Sequence, residues 1–270
     1  MTDDAGFDAL TRQIARDAGL ALDAYKGKCL RRRIAVRMRA CGVHSYAEYA
    51  ALLARTPAEY DRLRDAITIN VTRFFRNAET WERLRAEFLP GLWDRAGAGL
   101  RIWSAGCASG EEAYGLAMLA AEAAAARGRP DALDRVHVEA TDVDRESLVR
   151  AEAARYRAEA LAETPPELVA RWFELDGAYY RVAEAIRRRV RVRHLDLGRD
   201  PPPGVFHLIV CRNVVIYFER PTQERLFAAF VDALVPGGIL VLGKVETLFG
   251  PARDRLQLVD PRERIYRRPA

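Results

Sequence analysis

Arg101-Ile102-Trp103-Ser104-Ala105-Gly106-Cys107-Ala108-Ser109-Gly110-Glu111-Glu112 reads as an apolar strand that stops at a glycine, a second glycine four residues on, and the start of an Ala-rich amphipathic helix. Strand, tight turn and helix in this order are how a doubly wound sheet builds a ligand crevice at the carboxyl ends of its strands. Glycine at such a turn omits the Cβ and lets a ligand lie against the backbone. Two acids, Glu111 and Glu112, follow the second glycine. A helix start carrying carboxylates disfavours pyrophosphate and suits a cation or a hydroxyl-bearing group.

Outward from this stretch the pattern of a parallel sheet continues. Leu100–Gly106, Val136–Thr141, Phe206–Cys211 and Ile239–Gly243 are short apolar runs separated by helical stretches such as Glu111–Ala125. Residues 7 to about 68 read as helices instead. There Phe7, Leu10 and Ile14, then Leu30, Ile34, Met38 and Cys41, recur at helical spacing; Gly27 and Gly42 bracket the second helix and Ser45 caps a third. After Asn77 a helix carrying Trp81, Leu84, Phe88 and Leu92 runs to near Gly97. Between a helix starting near Asp144 and the strand at Phe206, simple alternation fails. Tyr156, a Pro165-Pro166 helix start, and strands at Tyr179–Val182 and Arg188–Leu195 read as a small antiparallel subdomain inserted at about 156–194. The tail Leu256–Tyr266 alternates in part and offers one antiparallel edge strand, interrupted by Pro261. The expected organisation is an all-helical domain over 1–69 and an α/β, Rossmann-like domain over 70–270.

The 270 residues, half of them hydrophobic, suffice for a globular core. No run approaches the ~20 apolar residues of a membrane-spanning helix, and the acidic start Met1-Thr2-Asp3-Asp4 is not a signal peptide. Cysteines at 29, 41, 107 and 211 form no Cys-x-x-Cys pair, and histidines at 44, 137, 194 and 207 show no i, i+4 spacing. A cytoplasmic protein without a metal site is expected. The net charge of +5 is local: Lys26, Lys28, Arg31, Arg32, Arg33, Arg37 and Arg39 form a run without an acid, and subtracting these seven leaves −2 on the rest.

The second apolar run ends in Thr141-Asp142-Val143-Asp144. An acid there accepts hydrogen bonds from both ribose hydroxyls of a bound nucleoside, while Asp144 suits the cap of the next helix. The segment Ala233-Leu234-Val235-Pro236-Gly237-Gly238-Ile239-Leu240-Val241 reads as helix end, turn and strand. With Gly106, Gly110 and Asp142, and without a Gly-x-Gly-x-x-Gly signature, these residues favour S-adenosylmethionine over NAD. Its sulfonium, ammonium and ribose diol match the acids at the turn.

Three strings carry a family resemblance. Asn70-Val71-Thr72-Arg73-Phe74-Phe75-Arg76, Ser104-Ala105-Gly106-Cys107-Ala108-Ser109-Gly110-Glu111-Glu112-Ala113-Tyr114 and Cys211-Arg212-Asn213-Val214-Val215-Ile216-Tyr217-Phe218 resemble the CheR family of chemotaxis methyltransferases, over essentially the whole chain. The resemblance implies esterification of glutamate side chains on methyl-accepting chemoreceptors, with S-adenosyl-L-homocysteine as product. It implies that Asn70, Thr72 and Arg76 line the cofactor and that Glu112 faces the methionine ammonium. Asp142 then holds the ribose, Asp196 and Leu197 flank the adenine, and Arg212 and Asn213 lie beneath the cofactor. Arg76 and Tyr217 fall beside the reacting groups, whereas Phe74 and Phe75 read as core residues.

On a helix, Leu30, Ile34, Met38 and Cys41 form the buried stripe of the basic run. The resemblance gives Lys28, Arg32, Arg33, Arg37 and Arg39, on the helix at about 26–41, a receptor-docking role; no aromatics interleave them, which disfavours nucleic acid. Gly243-Lys244-Val245-Glu246 stands where many family members carry Gly-His-Ser-Glu, and the short connection Glu174-Leu175-Asp176-Gly177 suggests independence from a receptor carboxyl-terminal pentapeptide. The rival readings are an RNA or small-molecule methyltransferase on the same fold, and a cofactor-binding regulatory module without turnover.

Overall fold

The computed structural model describes residues 3–20, 22–67 and 72–270. The chain divides into two units, residues 1–70 with 217–223, and residues 71–216 with 224–270. Residues 217–223 thus belong with the helices and not with the sheet into whose sequence they are threaded.

In the first unit lie α1 (Asp3–Ala18), α2 (Gly27–Ala40), α3 (Tyr46–Arg55) and α4 (Ala58–Ile67). Leu30, Ile34 and Met38 of α2 are buried as their spacing requires. Ser45 caps α3 in a reciprocal box: its hydroxyl accepts from Glu48 N at 3.2 Å, and Glu48 accepts from Ser45 N at 3.1 Å. α4 brings the buried carboxylate of Glu59 against α2. Arg37 Nε and Nη2 both donate to it at 2.9 Å, and the Tyr49 hydroxyl donates at 2.9 Å. Burial opposes ionisation of Glu59, but these bonds outweigh it and hold the carboxyl below its usual range. Residues 217–223 join this unit through hydrogen bonds from Lys26 N to Tyr217 O and from Glu219 N to Ala24 O, both 2.8 Å.

The second unit opens with α5 (Ala78–Arg83), a single π-turn (Leu84–Phe88) and α6 (Leu89–Arg95). The sequence predicts one helix here. Pro90 has no N–H to donate and its ring crowds the preceding turn, and the wider turn just before it accommodates both. Then follow β1 (Leu100–Ala105), α7 (Glu111–Ala125), β2 (Val136–Asp142), α8 (Arg145–Ala153), β3 (Arg155–Tyr156), α9 (Pro166–Trp172), β4 (Phe173–Asp176), β5 (Tyr179–Val182), α10 (Glu184–Arg187), β6 (Val190–His194), β7 (Phe206–Cys211), α11 (Arg220–Ala233), β8 (Leu234–Leu242), α12 (Pro251–Asp254), β9 (Gln257–Asp260) and β10 (Ile265–Arg267).

Seven strands form one sheet in the order β6-β2-β1-β7-β8-β10-β9. The pairs β1–β2, β1–β7, β2–β6 and β7–β8 are parallel, and β10 runs antiparallel to β8 and β9. This is the expected α/β, Rossmann-like sheet with three differences. Arg188–Leu195 is not part of the inserted subdomain: β6 is the outer strand of the main sheet, with Arg191 and Arg193 exposed, and the insertion is the small sheet β3-β5-β4 with its helices. Charged residues on an outer strand discourage pairing with another chain. The tail forms a two-stranded hairpin turning at Pro261, so the proline ends a strand and does not break one. Pro236-Gly237-Gly238 lies inside β8 as an irregularity, with a register shift opposite Phe206 and Leu208.

The core holds Trp103, Phe206, Phe230 and the Ala-rich α7, whose small side chains let the helix sit close to β1 and β2. Phe74 and Phe75 are buried; Phe74 meets Tyr156 and Phe173 of the insertion edge-on at 4.8 and 5.1 Å. None of the described helices is long and apolar enough to cross a membrane.

The Arg37–Glu59 pair makes a test of the helical unit. Arg37→Ala leaves Glu59 buried and short of two donors, and is expected to cost about 2 kcal/mol in denaturant unfolding. Arg32→Ala, on the exposed face of the same helix, is expected to change stability by no more than about 0.5 kcal/mol.

Candidate active site

Five parallel strands end along one edge of the sheet, at Ala105, Asp142, His194, Cys211 and Leu242. The residues just beyond these ends make the candidate site. β1 lies between β2 and β7, so the chain after β1 enters the crevice where the strand order reverses direction.

The turn after β1 is held from β2. Gly106 N and Cys107 N donate to Thr141 O at 2.8 and 2.9 Å, and Ala108 N donates to Asp142 Oδ2 at 2.8 Å. Gly106 and Gly110 have φ of +87° and +94°, which L side chains rarely adopt. A side chain at either position would meet protein. A Cβ on Gly106 would lie 2.4 Å from Val214 Cγ2, and one on Gly110 would lie 2.9 Å from Ala151 Cβ and 3.1 Å from the Tyr156 hydroxyl. The missing Cβ atoms thus also admit the neighbouring loop and helix, a packing reason for glycine that the sequence does not reveal.

Asp142 is buried, and its other oxygen accepts from Asp144 N at 2.9 Å. Val143 N also favours the charged form, and a carboxylate's lone pairs leave capacity for the acceptor role expected toward a diol. Asp144 caps α8, accepting from Glu146 N and Ser147 N. Leu195 N donates to Asp142 O at 3.0 Å and fixes the start of the next loop, where Asp196 accepts from Gly198 N at 2.8 Å and Leu197 is half-buried.

Glu112, at the start of α7, accepts from Ser104 Oγ at 2.8 Å and lies 3.8 Å from Arg212 Nη1. Arg212 Nη2 reaches across to the segment before α5, donating to Arg76 O at 3.0 Å and Asn77 Oδ1 at 2.7 Å. Trp81 Nε1 donates to the same Arg76 carbonyl at 2.9 Å and its ring lies under the guanidinium. Arg76 stands between two left-handed residues, Phe75 at φ +56° and Asn77 at +64°. Phe75 is an uncommon side chain for that region, and its burial edge-on to Trp81 at 5.2 Å holds it there. Burial lowers the Arg212 guanidinium against the pull of Glu112, and the Arg76 charge pushes the same way as burial. Arg212 Nε is buried without a hydrogen-bond partner among the described residues.

The sequence-predicted residues thus fall into groups. Arg76, Glu112, Arg212 and Asn213 share one cluster; Gly106, Asp142, Asp196 and Leu197 share the adjoining edge; Thr72 bonds Glu111 beside them. Asn70 lies outside the described residues. Tyr217 belongs to the helical unit, half-buried, with its carbonyl bonded to Lys26 N. Of the basic set, Lys28, Arg32 and Arg39 are exposed on α2, with Val36, 46% exposed, on the same face. Arg33 donates to Ala66 O at 3.2 Å, and Arg37 is occupied by Glu59, a correction to its place in a docking face. Ser104, Trp81 and Glu246 were not foreseen. Glu246 was visible only as the retained last residue of a string whose middle differs. Among the described residues no group of His, Cys, Asp and Glu is placed to hold a metal. A groove of about 1060 Å³ lined by Leu119, Leu168, Val259 and Pro261 opens on the other side of Phe75 and Trp81 and includes none of the sequence-predicted site residues.

A largely parallel sheet with this order and two carboxylates at its switch point has the organisation of a nucleoside-binding site, and these acceptors fit S-adenosylmethionine. Residues 5–68 match the CheR methyltransferase all-alpha domain and residues 70–265 the CheR methyltransferase SAM binding domain. The chain is 35% identical to a chemotaxis protein methyltransferase of Klebsiella aerogenes, covering 93% of this chain and 86% of that one. It is 34% identical to one of Listeria monocytogenes, covering 90% of each. The chain belongs to the CheR family and is an S-adenosylmethionine-dependent methyltransferase.

Burial raises both Glu112 and Asp142, with Arg212 and Ser104 opposing at Glu112 and the Asp144 and Ala108 N–H groups opposing at Asp142. A carboxyl raised in the folded state favours the fold while protonated, and that contribution is lost as pH rises through the folded value. A cation bound beside Glu112 stabilises the ionised form, so binding releases protons. Affinity for the cofactor is expected to weaken as pH falls from about 8 to about 5.5, with a binding enthalpy that depends on the buffer. Calorimetry in two buffers of different ionisation enthalpy measures this, and an affinity that rises on acidification would contradict the assignment of Glu112.

Proposed function

We propose that this protein forms γ-methyl esters on glutamate side chains of methyl-accepting chemoreceptors, in the cytoplasm. The observation that carries the reading is the pinned arginine: Trp81 and Arg212 fix the Arg76 carbonyl at the sheet's carboxyl edge, beside Glu112. A guanidinium held by its backbone is suited to orient a planar carboxylate.

S-adenosylmethionine, when bound, supplies a methyl group made electrophilic by its sulfonium. A glutamate carboxylate, with an ordinary pKa of about 4.3, is already ionised at neutral pH, so no general base is needed. The protein's task is alignment and exclusion of water, where proximity supplies most of the acceleration. In this reading Glu112 takes the ammonium, Asp142 the ribose hydroxyls, and Asp196 with Leu197 the adenine side. Thr72, Arg212 and Asn213, with Asn70, complete the cofactor contacts. Arg76 guides the substrate carboxylate.

The acceptor docks on α2. Lys28, Arg32 and Arg39 with Val36 form a cationic face with an apolar centre, which fits an acidic amphipathic receptor helix. The hairpin between β4 and β5 turns in two residues, Gly177 and Ala178. It leaves no long loop to grip a tethering peptide, which supports action without a receptor pentapeptide.

The test is transfer of labelled methyl to a receptor cytoplasmic fragment, followed by mild alkali. A carboxyl ester releases volatile methanol; label that survives alkali points to an amine or a base and overturns the glutamate reading. Cofactor binding without any transfer would indicate a regulatory module. In the same assay Arg76→Ala is expected to lower turnover by about 100-fold or more. The double charge reversal Arg32→Glu with Arg39→Glu is expected to raise the KM for receptor about tenfold at low salt while cofactor affinity stays unchanged.

A further inference from the structure

One buried carboxylate in the sheet unit has no part in the chemistry above. Glu246 follows β8, is 3% exposed, and accepts from five backbone N–H groups. Oε1 takes Val214 N at 2.9 Å, Val215 N at 2.8 Å and Ile216 N at 3.3 Å; Oε2 takes Asn213 N at 3.0 Å and Gly243 N at 2.6 Å. Four of the five donors are consecutive residues of the loop after β7. A run of backbone donors around one anion is a nest, and here the anion comes from the protein itself.

We propose that Glu246 is a positioning residue for the cofactor, an internal anion that fixes the loop Asn213–Ile216 and through it Arg212, Asn213 and the Gly106 turn. This rests on the reading that Arg212 and Asn213 face the cofactor. Three observations tie the clamp to the site and not to the fold alone. Asn213 adopts φ +60°, an uncommon conformation whose N–H is secured by Glu246. Val214, whose N–H is clamped next, is the side chain that fills the place of the missing Gly106 Cβ. Arg212, immediately before the clamped run, links Glu112 to the Arg76 carbonyl. One carboxylate therefore sets the relative placement of the turns after β1, β7 and β8. Burial raises the Glu246 carboxyl, and the backbone N–H groups oppose that rise by favouring its charge.

The clamp needs both oxygens as acceptors. A glutamine keeps one and turns the other into an NH2, which then faces at least two N–H donors. Aspartate keeps the charge and falls one methylene short. The experiment is S-adenosylhomocysteine affinity by calorimetry, with far-UV circular dichroism and thermal unfolding on the same samples. Glu246→Gln is expected to keep the folded spectrum and to lose about tenfold or more in affinity, with Glu246→Asp between it and wild type. Wild-type affinity in folded Glu246→Gln, even with a lowered Tm, overturns the proposal and leaves a structural tie. If Glu246→Gln does not fold, Glu246→Asp decides: a loss of about fivefold supports the proposal and unchanged affinity overturns it. Failure of the wild-type protein to bind would overturn the crevice assignment itself, an outcome distinct from any difference among the variants.

Discussion

Placement of β1 between β2 and β7 is the constraint from which the site follows. Parallel pairing on both sides aligns three strand ends at one edge, and each end is followed by a turn with unspent backbone donors. Carboxylates at the edge take up those donors. Asp142 binds the turn after β1, and Glu246 binds the loop after β7. The crevice is therefore walled by acids that serve the fold first. The lone pairs that remain suit a cationic, hydroxyl-bearing ligand.

Charge is arranged differently in the two units. In the sheet unit, Glu112 and Arg212 are largely buried and meet across the site, where a low dielectric strengthens each interaction and penalises an unmatched group. In the helical unit, the cations of α2 split by burial. Arg37 is satisfied internally by Glu59, while Lys28, Arg32 and Arg39 face outward, where charge steers a partner more than it binds one. A single basic run thus contains both a structural ion pair and an open face.

The strands, the helical unit and most of the clustered residues were legible because they rest on local signals. Apolar runs of strand length, the Ser45–Glu48 box, the Asp144 cap and the Pro166 helix start each reflect interactions within a few residues. What the sequence hid is non-local. Whether Arg188–Leu195 joins the insertion or the main sheet depends on whether β2 already has a partner on that side, which alternation cannot reveal. Nothing in the sequence says that Val214 and Ala151 occupy the places beside the two glycines. Glu246 escaped notice for the same reason: its five donors lie in a loop thirty or more residues upstream and in its own turn. Helical spacing sets Arg37 beside the buried stripe of α2 and Arg39 away from it, but that Arg37 is taken up by Glu59 depends on a partner from another helix.

Backbone strain marks where this fold has traded stability for placement. Among the described residues six non-glycine positions have positive φ, and four of them, Phe75, Asn77, Ala108 and Asn213, stand at the carboxyl edge. Each costs about 1–2 kcal/mol unless its surroundings compensate. The compensations are visible: Phe75 packs on Trp81, Asn77 accepts from Arg212, Ala108 N binds Asp142 and Asn213 N binds Glu246. Every one of these partners is itself buried or part of the site. In a crevice built this way the turns are tied by the protein's own side chains. For the proposed reaction, in-line methyl transfer to a carboxylate that already carries its charge, alignment is the larger part of what the protein must supply, and fixed turns supply it.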